Sequence, residues 1–142
     1  MSYIRYKNNN LFVENVSVRR LASKFGSPFY LYSEGNIIEN YKSFLNNFKK
    51  SNPLICFSVK ANSNIQILKI LKKMGSGADV VSGGELLKAI KSGIKPNKIV
   101  FSGVGKTEDE IKMAIRKKIL LINVESENEA ILINKIAGKL KK

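Results

Sequence analysis

Gly77-Ala78-Asp79-Val80-Val81-Ser82-Gly83-Gly84-Glu85-Leu86 decides the fold. A short apolar run, Ala78 to Val81, is followed at once by a serine with a glutamate three positions later. That is a strand running into a capping box, in which hydroxyl and carboxylate satisfy the orphan amides of a helix start. A continuous apolar run, rather than strict alternation, marks a strand covered on both faces and so favours a parallel sheet. Outward from this stretch the same unit recurs. Leu54 to Val59, Lys98 to Phe101 and Ile119 to Val124 read as further strands, followed by Ser63/Gln66, Thr107/Glu110 and Ser126/Glu129. One such pair is weak evidence, but four at the same place in four successive units form an architectural signal.

The intervening segments carry apolar residues at helical spacing, as in Ile67, Leu68, Leu71 and Met74 or Leu86, Leu87 and Ile90. Gly75, Gly93 and Gly138 fall where helix ends or turns are expected. The strands recur every 20 to 24 residues, a spacing that suits the tight βα units of a barrel. The fold class is therefore α/β, with parallel strands and alternating helices. A whole (β/α)8 barrel takes about 250 residues, so a chain of 142 residues holds only about half of one, its N-terminal half.

Upstream, Asn10 to Val18 reads as a strand-like element and Val18 to Phe25 as a short amphipathic helix ending at Gly26. Pro28-Phe29-Tyr30-Leu31-Tyr32 is another strand candidate, and Ser33 caps a helix running to about Lys50. Residues 1–27 are thus an entry segment, and residues 28–142 are about four βα units of one partial barrel domain. Lys142 falls in the fourth barrel helix, a poor place for a domain to end, so the chain is expected to be a fragment that exposes unpaired strand edges on its own.

With 44% apolar residues the chain can bury one core. No apolar stretch approaches the roughly 20 residues that cross a bilayer, and the first ten residues lack an apolar signal core, so a cytoplasmic protein is expected. The net charge of +14 attracts phosphate backbones whatever the fold. Yet the basic residues are spread as pairs along helices (Lys49-Lys50, Lys72-Lys73, Lys117-Lys118, Lys141-Lys142) and are not interleaved with aromatics, which favours solvated helix faces over nucleic-acid binding. The lone Cys56, in Leu54-Ile55-Cys56-Phe57, reads as a small buried hydrophobe. With no histidine in the chain, a Cys-His or Ser-His-Asp arrangement and a histidine metal site are excluded within it.

Barrel active sites lie at the C-terminal ends of the strands. There Lys60 is the only lysine that ends an apolar strand flanked by small residues. Partial desolvation leaves such an amine some neutral form, the form that attacks an aldehyde. The same placement also suits a lysine that merely completes a strand end, and spacing does not choose between the two. Asp79 is a carboxylate inside an apolar strand, for which an inward-facing Lys60 is a plausible partner. Ser82 and Glu85 are explained by capping, and Gly83-Gly84 by the turn into the helix. Nucleotide motifs fail on inspection: Val100 stands where a Walker A loop ending at Gly105-Lys106-Thr107 needs its first glycine, and Glu108 where Gly103-Val104-Gly105 needs a third.

Taken in order, four stretches resemble the successive strand-end motifs of the diaminopimelate decarboxylase family of fold-type III pyridoxal-phosphate enzymes. They are Phe57-Ser58-Val59-Lys60-Ala61-Asn62, residues 77–86, Ile99-Val100-Phe101-Ser102-Gly103-Val104-Gly105-Lys106-Thr107 and Ile122-Asn123-Val124-Glu125-Ser126. The opening, Leu21-Ala22 to Gly26-Ser27-Pro28-Phe29-Tyr30-Leu31-Tyr32-Ser33, resembles the family's entry into its barrel. Lys60 is followed by Ala61-Asn62-Ser63-Asn64 and not by the Ala-Tyr-Gly of alanine racemases. The resemblance implies the N-terminal half of an alanine racemase-like (β/α)8 TIM barrel that binds pyridoxal 5'-phosphate, with Lys60 as the Schiff-base lysine. It implies Asp79 near the cofactor, and Ser82, Glu85, Ser102 and Asn123 as supporting groups, with the positions Ser102, Lys106 and Asn123 the less secure. The implied reaction is decarboxylation of meso-diaminopimelate to L-lysine, by a homodimer with no membrane or nucleic-acid partner. The family's ring-stacking histidine, glycine-rich phosphate loop, acidic partner of the pyridine nitrogen and C-terminal β-domain would lie beyond Lys142, so this chain alone is expected to be inactive. A non-catalytic cofactor-binding remnant, another fold-type III decarboxylase and, more distantly, a basic nucleic-acid-binding module are the alternatives.

Overall fold

The computed structural model describes residues 3–142, the side chain of Lys49 excepted. It divides into two compact units, Met1–Asn47 and Phe48–Lys142.

In the first unit, β1 (Ile4–Lys7), β2 (Asn10–Val13) and β3 (Val16–Ser17) form an antiparallel meander with Ile4 opposite Val13 and Phe12 opposite Ser17. Asn8 and Asn9 both take positive φ, which lets a two-residue hairpin follow the strand twist. The expected strand-like element at 10–18 is thus two strands, and β1, which was not expected, is a third. Ser17 then caps α1 (Val18–Phe25) through the Arg20 amide, and Gly26, at φ 80°, ends it. Pro28 to Tyr32 is not a strand: the run has the right residues, but a strand is a pairing, and the segment belongs to neither sheet. In α2 (Glu34–Asn47) the start is held by Ser33 Oγ, which accepts from the Asn36 amide. Glu14 accepts from Ser33 Oγ at 2.6 Å and from the Gly35 amide at 2.9 Å, bonds that hold its carboxyl below the usual range.

The second unit alternates strands and helices: β4 (Cys56–Ser58), α3 (Ile65–Lys73), β5 (Gly77–Val80), α4 (Gly83–Lys91), β6 (Ile99–Phe101), α5 (Glu108–Lys117), β7 (Leu121–Ile122) and α6 (Glu127–Lys139). The four strands are parallel and lie in sequence order, the arrangement expected of half a barrel. Their helix-facing residues, Ala78, Val80, Ile99 and Phe101, are fully buried and pack with Leu68, Leu86, Ala89 and Ala114. Each of the larger side chains there contributes about 2 kcal/mol by leaving water, so this face holds the unit together. Coverage on both faces, as the apolar runs suggested, is not what the strands have. Alternation puts Ser58, Asp79, Val100, Ser102 and Leu121 on the opposite face, where residues are half-buried or exposed.

The helix starts follow expectation with one correction. Thr107 and Glu110 form a complete capping box. Ser82 and Ser126 accept from the amides of Glu85 and Glu129, whose carboxylates reach one residue further back, to the amides of Val81 and Glu125. At α3, however, the cap is Asn64 and not Ser63, because Asn62 accepts from the Asn64 amide and advances the start by one residue. Ser63 instead accepts from Lys88 Nζ. Gly75 and Gly93 lie at helix ends with φ near 90°, whereas Gly138 lies inside α6.

Candidate active site

The sheet register builds a polar row at the C-terminal strand ends. Ser58 stands opposite Asp79, Asp79 opposite Val100, and Val100 opposite Leu121. The ladder continues past the strands, since the Ser102 amide donates to Val80 O at 2.8 Å and the Asn123 amide to Phe101 O at 2.8 Å. These bonds bring Asp79, Ser102 and Asn123 together. Asn123 Nδ2 donates to Ser102 Oγ at 2.9 Å, and Ser102 Oγ donates to Asp79 Oδ1 at 2.5 Å.

Lys60 lies on a 3-10 turn, Val59–Ala61, that ends β4. The turn breaks strand alternation: Val59 enters the core with no exposure, and Lys60 is exposed, so the partial desolvation expected of it is absent. The expected pairing of Lys60 with Asp79 is absent, and the partner of Asp79 is Ser102. Among the described residues the Lys60 amine has no hydrogen-bond or ion-pair partner. Ser82 and Glu85 are engaged at the α4 start, as described.

Lys106 is the opposite of Lys60. Only 1% of its side chain is exposed, and its Nζ donates to Gly103 O at 2.7 Å, to Asn123 O at 2.8 Å and to Glu129 at 3.1 Å, lying 5.9 Å from the Phe101 ring centroid. A buried ammonium is tolerated only when its donors are met, and here all three have acceptors. Lys106 therefore braces the ends of β6 and β7 against α6. Two further glutamates join neighbouring loops: Glu110 Oε1 accepts from the Gly83 amide at 2.7 Å, and Glu125 from the Gly103 amide at 3.1 Å. Hydrogen bonds from the Gly83 and Thr107 amides hold the Glu110 carboxyl below its usual range. Its capping role was legible in the sequence; its reach to the next unit was not. Cys56 lies on the row's side of β4 with Sγ 3.8 Å from Lys98 O, and burial together with the Asp79 charge pushes its thiol up. The shift favours the thiol over the reactive thiolate.

Residues 34–141 match the family model of the pyridoxal-dependent decarboxylase, pyridoxal binding domain. The chain belongs to this family. It is 48% identical over 140 residues to a diaminopimelate decarboxylase of Aquifex aeolicus, covering 99% of this chain and 33% of that one. It is 43% identical over 142 residues to a diaminopimelate decarboxylase of Haemophilus influenzae, covering all of this chain and 34% of that one. It superposes with a TM-score of 0.93 on the crystal structure of diaminopimelate decarboxylase from M. jannaschii in complex with L-lysine, at 40% identity, covering 98% of this chain and 33% of that one. The chain thus spans about a third of the length of the curated relatives it matches.

The residues present fit a pyridoxal group in part. Lys60 offers an uncommitted amine and Asp79 a carboxylate with one oxygen unspent. A helix N-terminus is a ready seat for a phosphate, but the starts of α4, α5 and α6 are closed by Glu85 and Glu110, by Glu110, and by Glu129. Those carboxylates put negative charge at these three helix starts, which disfavours a phosphate there.

Proposed function

We propose that the chain is the lysine-bearing part of a pyridoxal-phosphate-dependent decarboxylase that converts meso-diaminopimelate to L-lysine and carbon dioxide. The single observation that carries this reading is the contrast between two strand-end lysines: the Lys106 amine is buried and fully committed, whereas the Lys60 amine is exposed and free. When bound, pyridoxal phosphate supplies an electron sink for the pair left on the α-carbon as carbon dioxide departs. Lys60 is the residue whose free amine would hold the cofactor covalently. Asp79 would present negative charge at the C-terminal end of the neighbouring strand, where an amine nitrogen is stabilised as a cation. The helix-facing core keeps the strands in register, so Lys60 and Asp79 stay on adjacent strand ends.

The substrate assignment is supported by the diaminopimelate decarboxylases that match the chain over nearly all of its length. On the same resemblance, the complete protein acts as a cytoplasmic homodimer on a small amino acid. The test is release of carbon dioxide from carboxyl-labelled meso-diaminopimelate by the full-length protein. Wild type releases label only with pyridoxal phosphate present, and Lys60→Ala loses at least about a thousandfold, of the order expected when a covalent catalytic group is removed. Equal release by Lys60→Ala would refute the assignment.

A further inference from the structure

The row at the strand ends has a direction. Asn123 Nδ2 can only donate, so Ser102 Oγ must accept from it and turn its own single hydrogen to Asp79 Oδ1. Asp79 is left with one neutral donor on Oδ1, and among the described residues no donor reaches Oδ2. The row is also braced from behind. The buried Lys106 ammonium holds the carbonyl of Gly103, next to Ser102, and that of Asn123 itself, and Glu129 balances its charge. With their backbones fixed by the Val80 and Phe101 carbonyls as well, Ser102 and Asn123 have little freedom to turn away. A half-buried carboxylate with a single neutral hydrogen bond is poorly compensated unless a cation joins it. The nearby Cys56 is favoured as the thiol and supplies no cation.

We infer that Ser102, backed by Asn123, is a positioning residue that aims the Asp79 carboxylate, with Oδ1 spent on the protein and Oδ2 offered to the positively charged amine nitrogen of an amino-acid ligand. The inference rests on the reading of Lys60 as the cofactor lysine and deepens it, since Lys60 brings no cation to Asp79 and the ligand does.

The test is a double-mutant cycle on the full-length, cofactor-loaded protein, read as the dissociation constant of L-lysine by titration calorimetry, without turnover. Ser102→Ala weakens L-lysine about tenfold, the value of one hydrogen bond to a charged group. Ser102→Thr, which keeps the hydroxyl, stays within about threefold of wild type, and Asn123→Ala loses about threefold. On an Asp79→Asn background, both alanine changes add less than about twofold, because residues that act through one another are not additive. L-lysine binding unchanged in Ser102→Ala, or losses that multiply on the Asp79→Asn background, would overturn the positioning role; where Ser102→Ala does not fold, the Asn123→Ala arm decides by the same criterion. Wild-type protein that retains no pyridoxal phosphate through gel filtration would sink the reading of Lys60, and this inference with it. Retention with a multiplicative cycle would sink the positioning role alone.

Discussion

Gly77 lies within β5 and not in a loop, and a methyl group there would run into the Lys98 carbonyl oxygen and the Cys56 sulfur. Neither can yield cheaply, since one is backbone and the other sits in the sheet. Gly77→Ala is therefore expected to cost about 3 kcal/mol, the upper range for overpacking a tight site, measured as a shift of the urea midpoint of the full-length protein. An unchanged midpoint would show that the β5 and β6 backbones are not held this close. At this scale the sequence was informative where a residue stood out against its neighbours. Lys60 at the end of an apolar run and Asp79 inside one were legible because each breaks its surroundings. The partner of Asp79 was not legible, because pairing opposite charges by adjacency pointed to Lys60, while the register and the 3-10 turn bring Ser102 to the carboxylate instead. The sequence likewise left the role of Lys106 open; only burial and three acceptors separate it from Lys60.

Helix starts carry the next level of organisation. Glu110 accepts from the Thr107 amide in its own capping box and from the Gly83 amide at the start of the preceding helix, so one carboxylate closes two helix N-termini. Those bonds favour the ionised form and place its folded pKa below the usual value of about 4.5. A group with a depressed folded pKa contributes stability that is fully present above its unfolded value and is lost as pH falls through the folded one. Glu110→Gln is accordingly expected to be less stable than wild type by about 1 kcal/mol at neutral pH, the carboxylate being partly screened by solvent. The difference should close as pH falls below about 4.5. Urea midpoints at neutral and acidic pH check this, and a gap that persists or widens in acid would contradict it. The repeated strand, loop and helix units were legible because each capping pair is local. Pro28 to Tyr32 misled because its residues suit a strand while pairing is a non-local fact. Ser63 misled by one residue because the Asn62 side chain reaches the Asn64 amide and shifts the helix start.

Over the whole molecule, the +14 charge follows the helices. Seven of the eleven acidic residues lie in the first turns of α2, α4, α5 and α6, and basic residues fill the last turns of α1, α3, α4, α5 and α6, as the helix dipole favours. Of the lysine pairs, Lys72-Lys73 and Lys117-Lys118 sit at helix C-termini, whereas Lys49-Lys50 lies in a 3-10 turn after α2 and Lys141-Lys142 beyond α6. No helix among the described residues is long and apolar enough to cross a membrane. What the sheet leaves open is one face of four strands, carrying Asp79, Ser102 and Asn123 at one end, with Lys60 on the turn that ends the adjacent strand β4. The amine of Lys60 is expected to carry the cofactor, and reductive trapping reads its position out directly. The full-length protein, loaded with pyridoxal phosphate and reduced with borohydride, should yield one dominant modified peptide on digestion and mass spectrometry, with the added mass on Lys60. A mass on Lys106 or on scattered surface lysines, with Lys60 unmodified, would show that Lys60 is not the cofactor lysine.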